Sequence, residues 1–471
     1  MKHEKLEQAL NEISNHYLTE AVNVKKKRTL PGLGTIAAVL ALILLFQFME
    51  IPMAIQAGAV SLAAEPRLEP RPDYDDYKDR DAYQADWDAW TAARETRSAT
   101  ADTALQQSKE FFSDSLQEFL SGSNKNQLYS PINAYIGLAL AAELTAGNTR
   151  QQLLDALQAS DTDTLRTQVS ALWESVYQDN GNEICTLASS VWLDDALSYK
   201  QSVMDALAYH HYASVYQQDL STPQAAKDIG AWLNNNTGGI LKEFTDRIQL
   251  PDEALLALYS TIYFQGKWND EFNAANNTTD TFYGTAENTD CTYMNARERQ
   301  MHYYWGDSFG AVSLNIKGNR QMWFILPDEG KTVEDVLAQE QYLDMLLAPY
   351  EGWQNSKYMK VNLSVPKFDI SAQCNLRSGL ENMGITDLFD PGAADFSASL
   401  FQPAYITAAN QSVRVSIDEQ GVTAAAYIEL PAAGAAMPPE EIIDFVLNRP
   451  FLFVITGGGN IPLFAGTVRQ P

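Results

Sequence analysis

Cysteine is nearly absent: Cys185, Cys291 and Cys374 are the three in 471 residues, far apart and without paired spacing. That excludes a disulfide framework and argues against a cysteine-held zinc. Histidine is scarce too, with five residues, and His3 and His16 precede the long apolar run near the N-terminus. His210 and His211 are neighbours, and neighbouring side chains on a helix diverge rather than converge on a metal. No HExxH, GxxxxGKS/T or GxGxxG pattern occurs, which removes the metalloprotease, P-loop and dinucleotide signatures. Neither metal nor cofactor is expected. Basic residues are outnumbered 33 to 60, a formal net charge of −27. Nucleic acid needs a basic surface, so that partner class is set aside.

One uncharged run is long enough to cross a bilayer. Thr29 to Met49 carries no charge and follows Lys25, Lys26, Lys27 and Arg28, which predicts a transmembrane helix with its N-terminus in the cytoplasm. A signal peptide cut near "SLAA" at 61–64, giving a secreted protein, is the alternative. Residues 1–28 then form a short cytoplasmic segment and 29–49 the span. Residues 50–104, with "EPRLEPRPDYDDYKDRD", read as an acidic, solvated linker, disordered at least in part. Residues 105–471 form one large α+β domain. Helical patterns run through Leu233, including "INAYIGLALAAELTAG" as a buried helix closed by Gly147. Strand patterns dominate afterwards, in "DTFYG", "AVSLNIKG", "QMWFILP", "KVNLSVPKFDI", "VRVSID" and "RPFLFVI".

Catalytic signals are weak. Gly306 to Gly310 reads GDSFG and fits a G-x-S-x-G nucleophile elbow, with His302 nearby as a candidate base. That motif needs a helix after Ser308. The alternation of Val312, Leu314 and Ile316 predicts a strand instead, so a tight hairpin turn is the better reading. No enzyme is expected. The more unusual stretch is "GVTAAAYIELPAAGAAMPP" from Gly421. Read as a strand, Val422, Ala424, Ala426, Ile428 and Leu430 share an apolar face, while Thr423, Ala425, Tyr427 and Glu429 share a mixed one. The prolines after it mark exposed loop. A segment with strand patterning in loop surroundings can serve as a strand awaiting a vacancy.

These features come together in an ordered set of motifs: "YSPINAYIGLALAAELTAGNT", "IYFQGKWNDEF", "VPKFDI", "LENMGITDLFDPGAADFSA", "VSIDEQGVTAAA", "RPFLFVI" and "PLFAGTVRQP". From about residue 105 to Pro471 the chain resembles the serpins, the suicide protease inhibitors, and within them the bacterial members. The resemblance implies helices packed around three β-sheets with an exposed reactive-centre loop. A serine protease cuts the loop and is trapped as an acyl-enzyme when the loop enters the main sheet as a new strand. Glu419 and Gly421 match the hinge, followed by Val422, Thr423 and the small run Ala424, Ala425 and Ala426. Val422 stands where the family usually has Thr or Ser. Spacing from the hinge puts the cut bond at Ala435–Ala436; spacing from "DFVLNRPF" gives Ala436–Met437. No Lys or Arg lies between Arg414 and Arg449, so the expected partner is an elastase-like or subtilisin-like protease with a shallow pocket. In the shutter beneath the sheet Ser130 matches, but Asn133 replaces the usual Ser, Ser260 the usual Asn and Gln411 the usual His. Trp268 matches the breach tryptophan. A non-inhibitory chaperone or carrier on the same fold is the alternative.

Overall fold

The computed structural model describes residues 60–63 (backbone), 72–179, 184–251, 254–348, 352–422 and 440–471. The chain divides into residues 1–56, which lie wholly outside that set, and a unit of residues 57–471. The apolar run 29–49 therefore falls outside the described residues; among those described, no helix is long and apolar enough to cross a membrane.

The described strands form two sheets. The first runs β1 (Val60–Ala63), β5 (Ala213–Gln217), β4 (Ile184–Leu193), β6 (Leu256–Lys267), β14 (Gly421–Val422), β13 (Asn410–Ile417), β12 (Phe368–Asn375), with β3 (Gln178–Asp179) on β4. The second runs β15 (Ile442–Val446), β11 (Ser356–Pro366), β8 (Asn288–Trp305), β9 (Phe309–Ile316), β10 (Arg320–Pro327), β16 (Phe451–Thr456), β17 (Pro462–Val468), β2 (Gln127–Tyr129), with β7 (Thr278–Tyr283) on β8. Three sheets were expected; two is the correction. The cause is β8, whose 18 residues pair with β7 and β11 and then, at Tyr303–Trp305, with β9. Two of the three expected sheets thus run together through β8 into one.

Two further expectations change. Residues 50–104 are not all linker, because Arg80–Gln107 forms a helix, α1, that crosses the expected boundary at 105. Asp79 caps its start, Ala101, Ala104 and Leu105 are buried at its end, and Arg97 reaches Glu174 at 3.2 Å. Charge and proline dominated the sequence reading of this stretch, while its alanines favour helix. The segment expected to be helical through Leu233 also contains β4 and β5.

Helix α2 (Lys109–Leu120) leads to α3 (Pro131–Leu144), in which every residue but Gly137 is buried. A helix apolar all round must sit in a core, and α3 packs on β6 of the first sheet and β17 of the second. It ends at Leu144 with Thr145 as its cap; Gly147, expected to close it, starts α4 (Gly147–Ala156) at φ +54°. Glu143, in its last turn, is buried, and the half-buried Arg166 of α5 (Thr162–Val176) donates to both carboxylate oxygens at 2.6 and 2.9 Å. His211, ending α6 (Gln201–His211), places Nε2 3.3 Å from Glu143 Oε2. Burial works to raise the Glu143 carboxyl, but His211 and Arg166 outweigh it and hold it down at about 2.

GDSFG forms the β8–β9 hairpin turn. Gly306 N–H donates to the Phe309 carbonyl at 2.9 Å, Ser308 is 1% exposed, and a strand follows it. The strand–turn–helix geometry of a nucleophile elbow is not formed there.

Candidate functional site

After β13 the chain turns through Asp418–Gln420 and resumes as β14. Asp418 makes the turn locally: its Oδ1 accepts from Gln420 N–H at 2.8 Å and Gly421 N–H at 3.1 Å, an Asx turn. Trp268, at the end of β6 and fully buried, holds the turn from below. Its indole Nε1 donates to the Asp418 carbonyl at 2.8 Å and its backbone N–H to the Gln420 carbonyl at 3.0 Å. Glu419 is pinned by Lys367, 2.5 Å away, and by the Asn277 amide. Burial acts to raise the Glu419 carboxyl; the bonds from Lys367 and Asn277 win and keep it below the usual carboxylate value.

Gly421 and Val422 are already a strand. Gly421 stands opposite Lys267 and Val422 opposite Gly266 on β6, while Val422 faces Ile417 on β13. The first position needs glycine, since an added Cβ would lie 2.8 Å from Lys267 Cα, against backbone that cannot turn aside. Val422 is 2% exposed. Below it, β6 and β13 share no ladder pairing among the described residues; each pairs with β14. Ile262 and Phe264 on β6, Val413 and Val415 on β13, and Val422 line a mostly apolar crevice between them, with Ser412 and Arg414 of β13 also in its lining. Among the described residues, the sheet is thus interrupted in its interior, with two residues wedged at one end.

Helix α3 reaches both flanking strands. Ser130, just before it, donates its backbone N–H to Gln411 Oε1 at 2.7 Å and accepts from Gln411 Nε2 at 2.9 Å, so this pair ties the helix start to β13. Ser130 Oγ donates to the Leu463 carbonyl of β17 at 2.6 Å. Asn133, one turn on, donates to the Ser260 carbonyl of β6 at 3.0 Å and accepts from Ser260 Oγ. Ser189 of β4 lies within 3.3 Å of the same hydroxyl.

The structure therefore gathers Glu419, Gly421, Val422 and Trp268 at the hinge and splits the shutter residues into two pairs, Ser130–Gln411 and Asn133–Ser260. Thr423, Ala424, Ala425, Ala426, Ala435, Ala436 and Met437 lie outside the described residues. Asp418, Lys367, Asn277 and Ser189 were missed from the sequence. Asp418 was findable, because an Asp shortly before a Gly marks an Asx turn. The others reach the site from distant segments and carry no local signal.

The model of the family described as "Serpin (serine protease inhibitor)" matches residues 106–471. Plasminogen activator inhibitor 1 of Neovison vison is 29% identical over 363 residues, 74% of this chain and 88% of that protein. Serine protease inhibitor 2 of Anopheles gambiae is 29% identical over 390 residues, 78% and 92% of the two. Among solved structures, the thermophilic serpin Tengpin in its native state aligns with a TM-score of 0.70 at 22% identity, covering 88% of this chain and all of that one. An Arabidopsis serpin in its native stressed conformation gives 0.67 at 23%, covering 80% and 98%. At these identities the structures speak for the fold.

Proposed function

This chain belongs to the serpin family, and from that premise we propose that it inhibits serine proteases by loop cleavage, acyl-enzyme trapping and strand insertion. One observation carries the reading: β14 is wedged between β6 and β13 at the mouth of an apolar crevice. On insertion, the same register continued would set Ala424 between Phe264 and Val415, Ala426 between Ile262 and Val413, and Ile428 between Ser260 and Gln411. Small side chains then enter where the crevice is lined by large ones. The 12 residues of β6 at about 3.3 Å each give roughly 40 Å of strand. That travel is enough to carry a bound protease far from where it cut. The alanine before either candidate bond, Ala435–Ala436 or Ala436–Met437, favours a shallow-pocket enzyme of the elastase or subtilisin kind. Incubation with elastase tests this. A gel-stable covalent complex, and a cleaved form melting well above the intact one, are expected; clean cleavage with neither result refutes inhibition and leaves a non-inhibitory serpin.

We also propose that the domain lies outside a bacterial-type cell membrane, held by residues 29–49. The basic cluster at 25–28 ahead of the uncharged run supports it. Protease shaving of intact cells should release the domain; a mature N-terminus near Glu65 would mean a cleaved signal peptide instead.

A further inference from the structure

Helix α7 (Pro223–Asn236) lies against β4 and β6 of the first sheet, and a groove opens along one side of it. Ala225, Ile229 and Leu233 are buried in a cluster with Trp192 of β4, and Tyr259 of β6 packs on that cluster. The chain then folds back and crosses the helix at Gly230, where an added Cβ would lie 3.1 Å from the Thr245 carbonyl. Thr245 Oγ1 donates to Asn234 Oδ1 at 3.0 Å and fixes the crossing. Between the helix and residues 245–250 there remains a cavity of about 700 Å³, the size of a small-molecule site. Leu220, Ala226, Ala231, Ile248 and Leu250 give it apolar walls.

Two charged residues share the lining, and they are not equivalent. Asp246 is already met by Lys242 at 2.9 Å. Lys227 is exposed and makes no ion pair among the described residues. The groove therefore joins apolar walls to one uncompensated positive charge. A cationic amphiphile would find its only carboxylate taken, and a neutral one would leave Lys227 unused. The lining runs from Pro223 to Asn234, about 16 Å of helix, which suits one extended chain rather than a folded partner.

We propose that this groove binds a single-chain aliphatic carboxylate, with its tail between α7 and residues 245–250 and its head group on Lys227. The groove shares no lining residue with the crevice between β6 and β13, so the site is separate from that of strand insertion. An occupant touches both the helix and the segment that crosses it, and by mass action it favours the form in which the two are seated together.

The test uses the full chain in detergent micelles and a diazirine-bearing decanoate as the probe. Labelled residues are mapped by peptide mass spectrometry, with every variant at the same detergent concentration so that probe lost to micelles is equal throughout. Labelling is expected within residues 220–234 and 245–250, half-saturating below about 1 mM. Plain decanoate should displace the probe, while decyltrimethylammonium and acetate should not. Lys227→Met removes the charge and keeps the stem, and should raise the half-saturating concentration about fivefold. Lys125→Met, at an exposed lysine outside the groove, should change it by less than about twofold. Ala226→Phe fills the groove and should cut labelling by more than about tenfold. If Ala226→Phe melts below the parent, the Lys227→Met comparison decides, because that side chain is exposed and its loss leaves the fold intact. Three results would overturn the proposal: label concentrated elsewhere, the crevice at β6 and β13 included; equal displacement by decyltrimethylammonium; or an unchanged half-saturating concentration in Lys227→Met.

Discussion

Asn133 and Ser260 should be energetically coupled, while Asn133 and Gln411 should not. Asn133 is 6% exposed and both donates to and accepts from Ser260. Asn133→Ala leaves the Ser260 hydroxyl able to turn to Ser189 but strips the side-chain donor from the Ser260 carbonyl. A buried group losing its partner costs about 1–3 kcal/mol, so about 2 is expected. Ser260→Ala leaves Asn133 Oδ1 without its donor, for about 1 kcal/mol. In the double variant both halves of one hydrogen bond vanish together, so the single costs should exceed the double by about 1 kcal/mol. Gln411→Ala breaks the two bonds to Ser130, again about 2 kcal/mol. It shares no bonded atom with the other pair, and its combination with Asn133→Ala should add within about 0.5 kcal/mol. Urea unfolding of the intact chain, followed by tryptophan fluorescence, measures all of these. Coupling below about 0.3 kcal/mol between Asn133 and Ser260, or above about 1 between Asn133 and Gln411, would refute the two-arm arrangement.

Gly421→Ala should cost about 1–3 kcal/mol through overpacking against the β6 backbone, or else lift β14 and expose Val422. A thermal scan within a degree of the parent would show that the contact is not tight. Glu143 titrates at about 2 when folded against an ordinary 4.5. Its carboxylate therefore adds stability in full above pH 4.5, and that contribution, on the order of 3 kcal/mol, is lost as the pH falls toward 2. Unfolding free energies measured from pH 6 to 3 should show the loss in the parent and less of it in Glu143→Gln; parallel curves would contradict the assignment.

The strands expected after residue 280 are present: β11 and β13 alternate, while β10 and β16 are short apolar runs rich in aromatic and β-branched residues. β4 escaped notice for a physical reason: "ICTLASSVWL" is buried on both faces over most of its length, and such a strand has no period of two to display. Helix α1 was hidden by its charges. Glu419 and Gly421 were legible as a contiguous pair, and the structure brings both beside Trp268; the alanines after them lie outside the described residues. The shutter was only half legible: Asn133 and Ser260 do meet, but Gln411 turned out to serve Ser130. Which side chain meets which across the core depends on how α3 lies between the sheets, and nothing local states that.

β1 lies antiparallel on β5, from Val60 opposite Gln217 to Ala63 opposite Val215. It belongs to the stretch ahead of the family-matched residues 106–471. Without it β5 would form the border of the sheet and offer a row of unpaired N–H and C=O groups to any neighbouring molecule. The short strand covers much of that border and leaves only its own four residues as the edge on that side. A chain trimmed to the matched residues alone would gain a sticky rim, and its solubility at high concentration would fall although every hinge and shutter residue stayed in place.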